Sequence, residues 1–252
     1  IVVLGAGQAA AQAIQSLRMG GYTGELTLVG EEPALPYQRP PLSKAYMKGE
    51  FAEERLYFKP AAWYEDNNVE LILSTRATSI DRAERRVDLE HGGHLEYDAL
   101  IIATGSRPRA LPIDGAELEH VYALRGLADV ERIRPQMVAG RSMVIIGAGY
   151  IGLEAAAVAQ QMGLKTTVLE MAPRVLARVT SPVMSEFYEA EHRRQGVEIR
   201  TETSLSKLEG NDGAVTAAVL TDGTQVDADI VLVGVGILPN DEQQFFSGLR
   251  QV

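Results

Sequence analysis

No cysteine occurs anywhere in the 252 residues. Disulfides, thiolate metal sites and dithiol redox relays are therefore excluded for these residues. The absence fits a reducing compartment, and a cytoplasmic location is expected. Positive charge is in deficit: 24 basic against 34 acidic residues leave a net charge of −10, which argues against general binding to nucleic acid or to anionic membranes. No apolar run reads as a membrane span. The most apolar stretch, residues 143–160, is interrupted by Gly147, Gly149, Gly152 and Glu154 and reads as a buried strand, a turn and a helix. Histidine is scarce, with four in the chain. His91 and His94 flank Gly92 and Gly93 and read as a surface hairpin rather than a metal pair. His120 and His192 have no ligand set beside them in sequence, so no metal site is expected. No signal peptide is visible, and the chain opens on Ile1 inside an apparent strand, so a trimmed start is expected.

What is present is said twice. The first half opens "IVVLGAGQAAAQAIQSL", an apolar run, a glycine turn and a helix of small residues. A second strand follows in "GELTLVGEE" (24–32), ending in acid. Later, "RRVDLEHGGHLEYDALIIATGS" (85–106) reads as a hairpin and then a buried strand reaching Thr104 and Gly105. The second half opens "MVIIGAGYIGLEAAAVAQQMG" (143–163), continues "LKTTVLEMAPR" (164–174), and closes "AVTAAVLTDGTQVDADIVLVGVG" (214–236). Asp98 matches Asp229, and Gly105 matches Gly236. A repeat at this scale implies two α/β domains of similar build, each a Rossmann-like parallel sheet with an antiparallel hairpin layer.

Each half carries the parts of a dinucleotide site. Gly5, Gly7 and Ala10 follow a strand and open a helix, and Glu31 lies at the end of the next strand. Gly147, Gly149 and Gly152 repeat the arrangement, with Glu170 at the matching place. The first glycine permits the turn, the second lets backbone approach a pyrophosphate, and the third position must be small for helix–sheet packing. The helix N-terminus offers unpaired N–H groups to phosphate, and the acid accepts from ribose hydroxyls. A carboxylate at Glu170 would repel a 2′-phosphate, which favours NADH over NADPH; Arg174 and Arg178, close behind it, would blunt that preference. Two such sites on one chain point to a flavin reached by a nicotinamide.

Between the second strand and the rest of the first half stands "YQRPPLSKAY" (37–46). Its paired prolines forbid a helix through Arg39 and Pro40 and stiffen the loop, and Arg39 and Lys44 bracket the rigid part.

Together with "LIIATGSRPR" (100–109), "VIIGAGYIGLE" (144–154) and "VGVGILPN" (233–240), this loop resembles a known family: the FAD-dependent, NADH-linked ferredoxin and rubredoxin reductases that serve oxygenases, the putidaredoxin-reductase type, and more distantly apoptosis-inducing factor. The resemblance implies an FAD domain at 1–112, an NADH domain at 113–240 and a tail at 241–252. It implies FAD contacts at Gly5, Gly7, Gln8, Ala9, Ala10, Glu31, Arg39, Lys44, Ala77, Ala103, Thr104, Gly105 and Arg107. It implies NADH contacts at Gly147, Gly149, Tyr150, Ile151, Gly152, Glu154, Glu170, Arg178, Val235 and Gly236. Lys44, paired with Glu154, would stand beside the flavin ring as a fixed ammonium and carry the catalytic role. The implied partner is a 2Fe–2S ferredoxin or a rubredoxin, with no nucleic acid or membrane, and the chain a monomer or weak dimer. Arg82, Arg85, Arg86, Arg107 and Arg109 are candidates for a docking patch if folding gathers them.

Two other functions stay open at this level: an NADH-responsive regulatory flavoprotein, and an NADH oxidase. The family pattern is read as failing after Asn240, where "DEQQFFSGLRQV" follows; two explanations stay open, a chain cut short or residues absent between Asn240 and Asp241, and the second is the one expected. The aromatic group Tyr57, Phe58, Trp63 and Tyr64 reads as core, the acids at 186–191 as a solvated helix face, and Pro182 as the first turn of a helix capped near Ser181.

Overall fold

The computed structural model describes residues 1–241. The tail reading for 242–252 lies outside the described residues. The chain divides into two compact units. One comprises Ile1–Arg39, Ala52–Arg107 and residues 238–241; the other comprises Pro40–Phe51 and Pro108–Ile237. The segment with the paired prolines thus packs with the second unit although the first unit's sequence surrounds it.

The first unit is built on a four-stranded sheet in the order Val69–Ile72, Leu26–Val29, Val2–Leu4, Leu100–Ile102, parallel throughout. Alternation along the strands supplies two apolar faces. Val3 and Leu28 point to one side, where Ala10 and Ile14 of the helix Gln8–Met19 and Tyr64 of the helix Ala61–Asp66 bury against them. Val2, Leu4 and Val29 point to the other, against Ala77, Ile80 and Val87 of a three-stranded antiparallel layer, Ala77–Asp81, Arg86–Leu89 and His94–Glu96.

The second unit repeats the scheme with one more strand: Glu198–Arg200, Lys165–Leu169, Ser142–Ile146, Ile230–Val233, Val121–Ala123, again all parallel. Val144 and Ile146 face Leu208, Val215, Ala218 and Val226 of the antiparallel layer Leu205–Asn211, Ala214–Leu220, Gln225–Asp227. The helix Tyr150–Gln161 buries Leu153, Ala155, Ala156, Val158 and Ala159; its small side chains let it lie close to the strands.

The registers align the two halves residue for residue. Leu4 pairs with Val29 and Ile102, as Ile146 pairs with Leu169 and Val233. The matches of Asp98 with Asp229 and Gly105 with Gly236 follow from these registers. The third strand of each antiparallel layer, Ala77–Asp81 and Leu205–Asn211, adds to the two-strand hairpins read from sequence. One expectation is corrected: Leu100–Ile102 is only half-buried. It is the edge strand of its sheet among the described residues, whereas its counterpart Ile230–Val233 is covered by Val121–Ala123. Pro40–Ser43 forms a short 3-10 turn, which prolines permit at a first turn, and Pro182 opens the helix Pro182–Arg194 after Ser181. No helix among the described residues is long and apolar enough to cross a membrane.

Candidate functional site

The two glycine turns are held by the same constraints. Gly5 has φ +101° and Gly147 φ +102°, a region closed to most residues. A Cβ on Gly5 would stand 2.2 Å from the Ala103 carbonyl oxygen, and one on Gly147 2.6 Å from that of Gly234. The first glycine therefore serves both the turn and the close passage of the strand that ends the motif. At the third position the halves differ. Ala10 fits its methyl in full burial, but a Cβ on Gly152 would meet the Gly147 carbonyl oxygen at 2.1 Å.

The second glycines face the other way. Nothing lies within 4 Å of a Cβ built on Gly7 or Gly149. Each is the N-cap of a twelve-residue helix, with no side-chain cap and no acid in the first turn. Gln8 and Ala9 in one helix, and Tyr150 and Ile151 in the other, are exposed beside these ends. Open space before a glycine, unpaired N–H groups and a positive dipole end are what a pyrophosphate requires, so both turns fit a dinucleotide.

The acids behave differently. Glu170 directly follows its strand, and its two carboxylate oxygens accept from the Ala148 N–H at 2.7 Å and the Ala172 N–H at 2.8 Å. It is thereby locked onto the glycine turn, with lone pairs left for ribose hydroxyls. The register puts Gly30 in the corresponding place of the first unit, where a Cβ would crowd Ala6 at 2.6 Å; Glu31 comes one residue later and is exposed. Glu32, which sequence reasoning passed over, anchors the first-unit loop: Arg39 reaches it at 2.6 Å and the Tyr37 hydroxyl donates to it at 2.5 Å. Arg39 also lies over the Tyr37 ring, 5.0 Å from its centroid.

Within the second unit, Lys44 Nζ stands 2.6 Å from Glu154 Oε2. Ser43, almost fully buried, donates to the same oxygen at 2.5 Å. The carboxylate comes from the helix of the second glycine turn. In the first unit, Asn240 closes onto the end of the last strand: it accepts from Thr104 Oγ1 at 2.7 Å through its carbonyl, donates to the Thr104 carbonyl at 3.0 Å, and accepts from Arg107 at 2.9 Å. Ala77 begins its strand and is buried. Val235 packs against the second-unit core, and the Gly236 carbonyl accepts from the Arg109 N–H at 2.9 Å. Arg178 is exposed and makes no hydrogen bond or ion pair among the described residues. Arg174 directs three of its N–H donors to the Ala177 and Thr180 carbonyls and Ser185 Oγ. Arg86 is paired with Asp88 at 3.0 Å.

Asn240, Glu32, Tyr37 and Ser43 went unassigned in the sequence reading. All four lie inside the quoted motifs or beside them, so proximity to a motif was the available signal.

Comparison with known proteins agrees with this geometry. The model of the pyridine nucleotide-disulphide oxidoreductases matches residues 1–251. The match runs past Asn240. The chain is similar to rhodocoxin reductase of Rhodococcus erythropolis, with 42% identity over 249 residues, covering 99% of this chain and 58% of that protein. It superposes on the reductase in the covalent putidaredoxin reductase–putidaredoxin complex with a TM-score of 0.97 at 41% identity, covering all of this chain and 61% of that one. A ferredoxin reductase from Rhodopseudomonas palustris superposes with a TM-score of 0.95 at 42% identity, over all of this chain and 62% of that one. The chain thus spans about three fifths of the length of the relatives it matches. With its duplicated glycine turns and a family match over nearly its whole length, the chain belongs to the pyridine nucleotide-disulphide oxidoreductase family.

Proposed function

We propose that this chain is the nucleotide-handling part of a flavoprotein that takes electrons from NADH and passes them to a small iron–sulfur protein of the ferredoxin type in the cytoplasm. The observation that carries the reading is the pair of open, uncapped glycine turns on one chain, each backed by the same strand register. The relatives' names, which specify rhodocoxin, putidaredoxin and ferredoxin as partners, support the choice of acceptor class.

In this reading the first unit holds FAD and the second NADH. Bound FAD supplies the chemistry that links a two-electron donor to a one-electron acceptor. The residues bind and orient. The N–H groups behind Gly7 and Gly149 receive the two pyrophosphates. Glu170, already fixed by two backbone donors, receives adenosine ribose hydroxyls and disfavours a 2′-phosphate. Arg39 lends charge to the first site. Lys44, held by Glu154, is a prepositioned cation whose orientation costs nothing at the moment of reaction. No cysteine is available in these residues for a thiol relay, which separates this chain from a dithiol mechanism.

The test is the visible spectrum of the purified full-length protein during anaerobic titration with NADH and, separately, NADPH. Flavin bands bleached by NADH, and at much higher concentrations by NADPH, are expected. A protein that stays colourless when supplied with FAD overturns the proposal.

A further inference from the structure

The side chain of Lys44 is half-exposed, at 49%. A four-carbon stem with that freedom samples many rotamers unless something else sets it. One fixture is at the ammonium itself, where Glu154 pairs with it at 2.6 Å and the Pro40 carbonyl accepts from it at 3.1 Å. A second lies two residues on. Tyr46 is 3% exposed, and a single arginine touches it twice. Its hydroxyl donates to Glu131 Oε1 at 3.0 Å. Its backbone carbonyl accepts from Arg134 at 2.9 Å. The Arg134 guanidinium lies over its ring, 4.7 Å from the centroid, and reaches Glu131 at 3.6 Å. Glu131 belongs to the helix Leu127–Ile133, and Arg134 opens the 3-10 turn Arg134–Gln136 that follows it. Arg134, Glu131, Tyr46, Lys44 and Glu154 all belong to the second unit.

The chain between the two fixtures has no slack. The N–H groups of Lys44 and Tyr46 both donate to the Pro41 carbonyl at 3.0 Å, and the Lys48 N–H donates to the Lys44 carbonyl at 3.2 Å. Moving the Tyr46 carbonyl therefore moves the Lys44 backbone. A planar guanidinium stacks on the ring and donates in its own plane to the carbonyl at once, a geometry that a lysine ammonium reproduces less well.

We infer that Arg134 is a positioning residue for Lys44: through Tyr46 it sets where the ammonium stands, without itself meeting a nucleotide. The inference rests on the proposed role of Lys44 as a prepositioned cation.

The test uses the holoenzyme with Arg134→Met, Lys44→Met and the double variant. Hydrogen exchange followed by mass spectrometry should show faster exchange in Arg134→Met confined to residues 42–50. Stopped-flow mixing with NADH should show flavin reduction slowed roughly tenfold, the scale expected for a small misplacement, with the NADH dissociation constant unchanged within about twofold. In the Lys44→Met background, Arg134→Met should slow reduction no further, because both changes remove one interaction. Arg134→Lys should restore the rate only in part. Tyr46→Phe, which leaves the carbonyl contact in place, should give a smaller effect of the same sign and keeps the inference testable if Arg134→Met folds poorly. Wild-type reduction rates in Arg134→Met overturn it, as does an equal slowing with and without Lys44. A wild-type protein that NADH does not reduce is a different failure, that of the proposed function, and shows before any variant is made.

Discussion

Tyr64 carries a phenol into the first-unit core, where it is 1% exposed and its hydroxyl finds no hydrogen-bond partner among the described residues. Burial pushes its pKa from 10.0 up to about 12, since the charged phenolate is poorly solvated there. The sign follows from linkage. In the unfolded chain the phenol ionises at its ordinary value, so the unfolded state gains from rising pH before the folded state does. The stability contributed by the neutral phenol is whole below about pH 10 and is lost as pH climbs toward 12. Tyr64→Phe should therefore be more stable by about 1 kcal/mol at pH 8, having shed an unpaired buried hydroxyl, and its advantage should widen between pH 10 and 12. Urea unfolding midpoints for the two proteins at pH 8 and 11 check both parts. Had Tyr64 a hidden partner, the variant would instead be less stable at pH 8.

Elements were legible where their signals are local. A glycine turn, a proline at the first turn of a helix and an alternating strand each sit within a few residues, and the strand Lys165–Leu169 and the helix Pro182–Arg194 follow from such marks. The strand Leu205–Asn211 did not, because its sequence LSKLEGN breaks alternation and its pairing shifts register twice. Arg174 is the instructive case. From spacing alone it is a cation near an adenosine site. In the structure it is a staple for the loop at 171–181: it bonds the Ala177 carbonyl at 2.8 Å, the Thr180 carbonyl at 3.0 Å and Ser185 Oγ at 2.6 Å. Ser185, 1% exposed, donates its own hydroxyl hydrogen bond to the Val175 carbonyl. The loop in turn gives the Leu176 N–H to the Ala148 carbonyl of the glycine turn at 2.9 Å. Arg174→Met should cost about 3 kcal/mol of stability, the scale of several charged hydrogen bonds to partners left unpaired. It should weaken NADH and NADPH binding alike, because the staple shapes the turn and does not read the 2′ position. Thermal melts and titrations with both nucleotides test this; a changed NADH-to-NADPH ratio would return Arg174 to the role that spacing gave it.

At the scale of the molecule, the duplication was readable but the division of labour between its halves rests on details that only folding brings together. Glu32 meets Arg39 across a turn, and Pro40–Phe51 joins a unit that resumes at Pro108; neither pairing has a local sequence signature. The halves share a register yet differ at the end of the second strand. Glu170 is fixed to its turn by two backbone donors, while Gly30 leaves the matching place bare and the nearby charge is Arg39 with Glu32. On the proposed assignment, the second unit takes the nucleotide read at its ribose by Glu170, and the first takes FAD. A ligand that binds only the folded form slows local opening around its site. In protein stripped of nucleotide, NADH alone should slow hydrogen exchange at 145–153 and 170–178 and leave 5–12 and 30–39 unchanged; FAD alone should do the reverse. Protection of 5–12 by NADH, with FAD absent, would exchange the two assignments while leaving the fold and the family untouched.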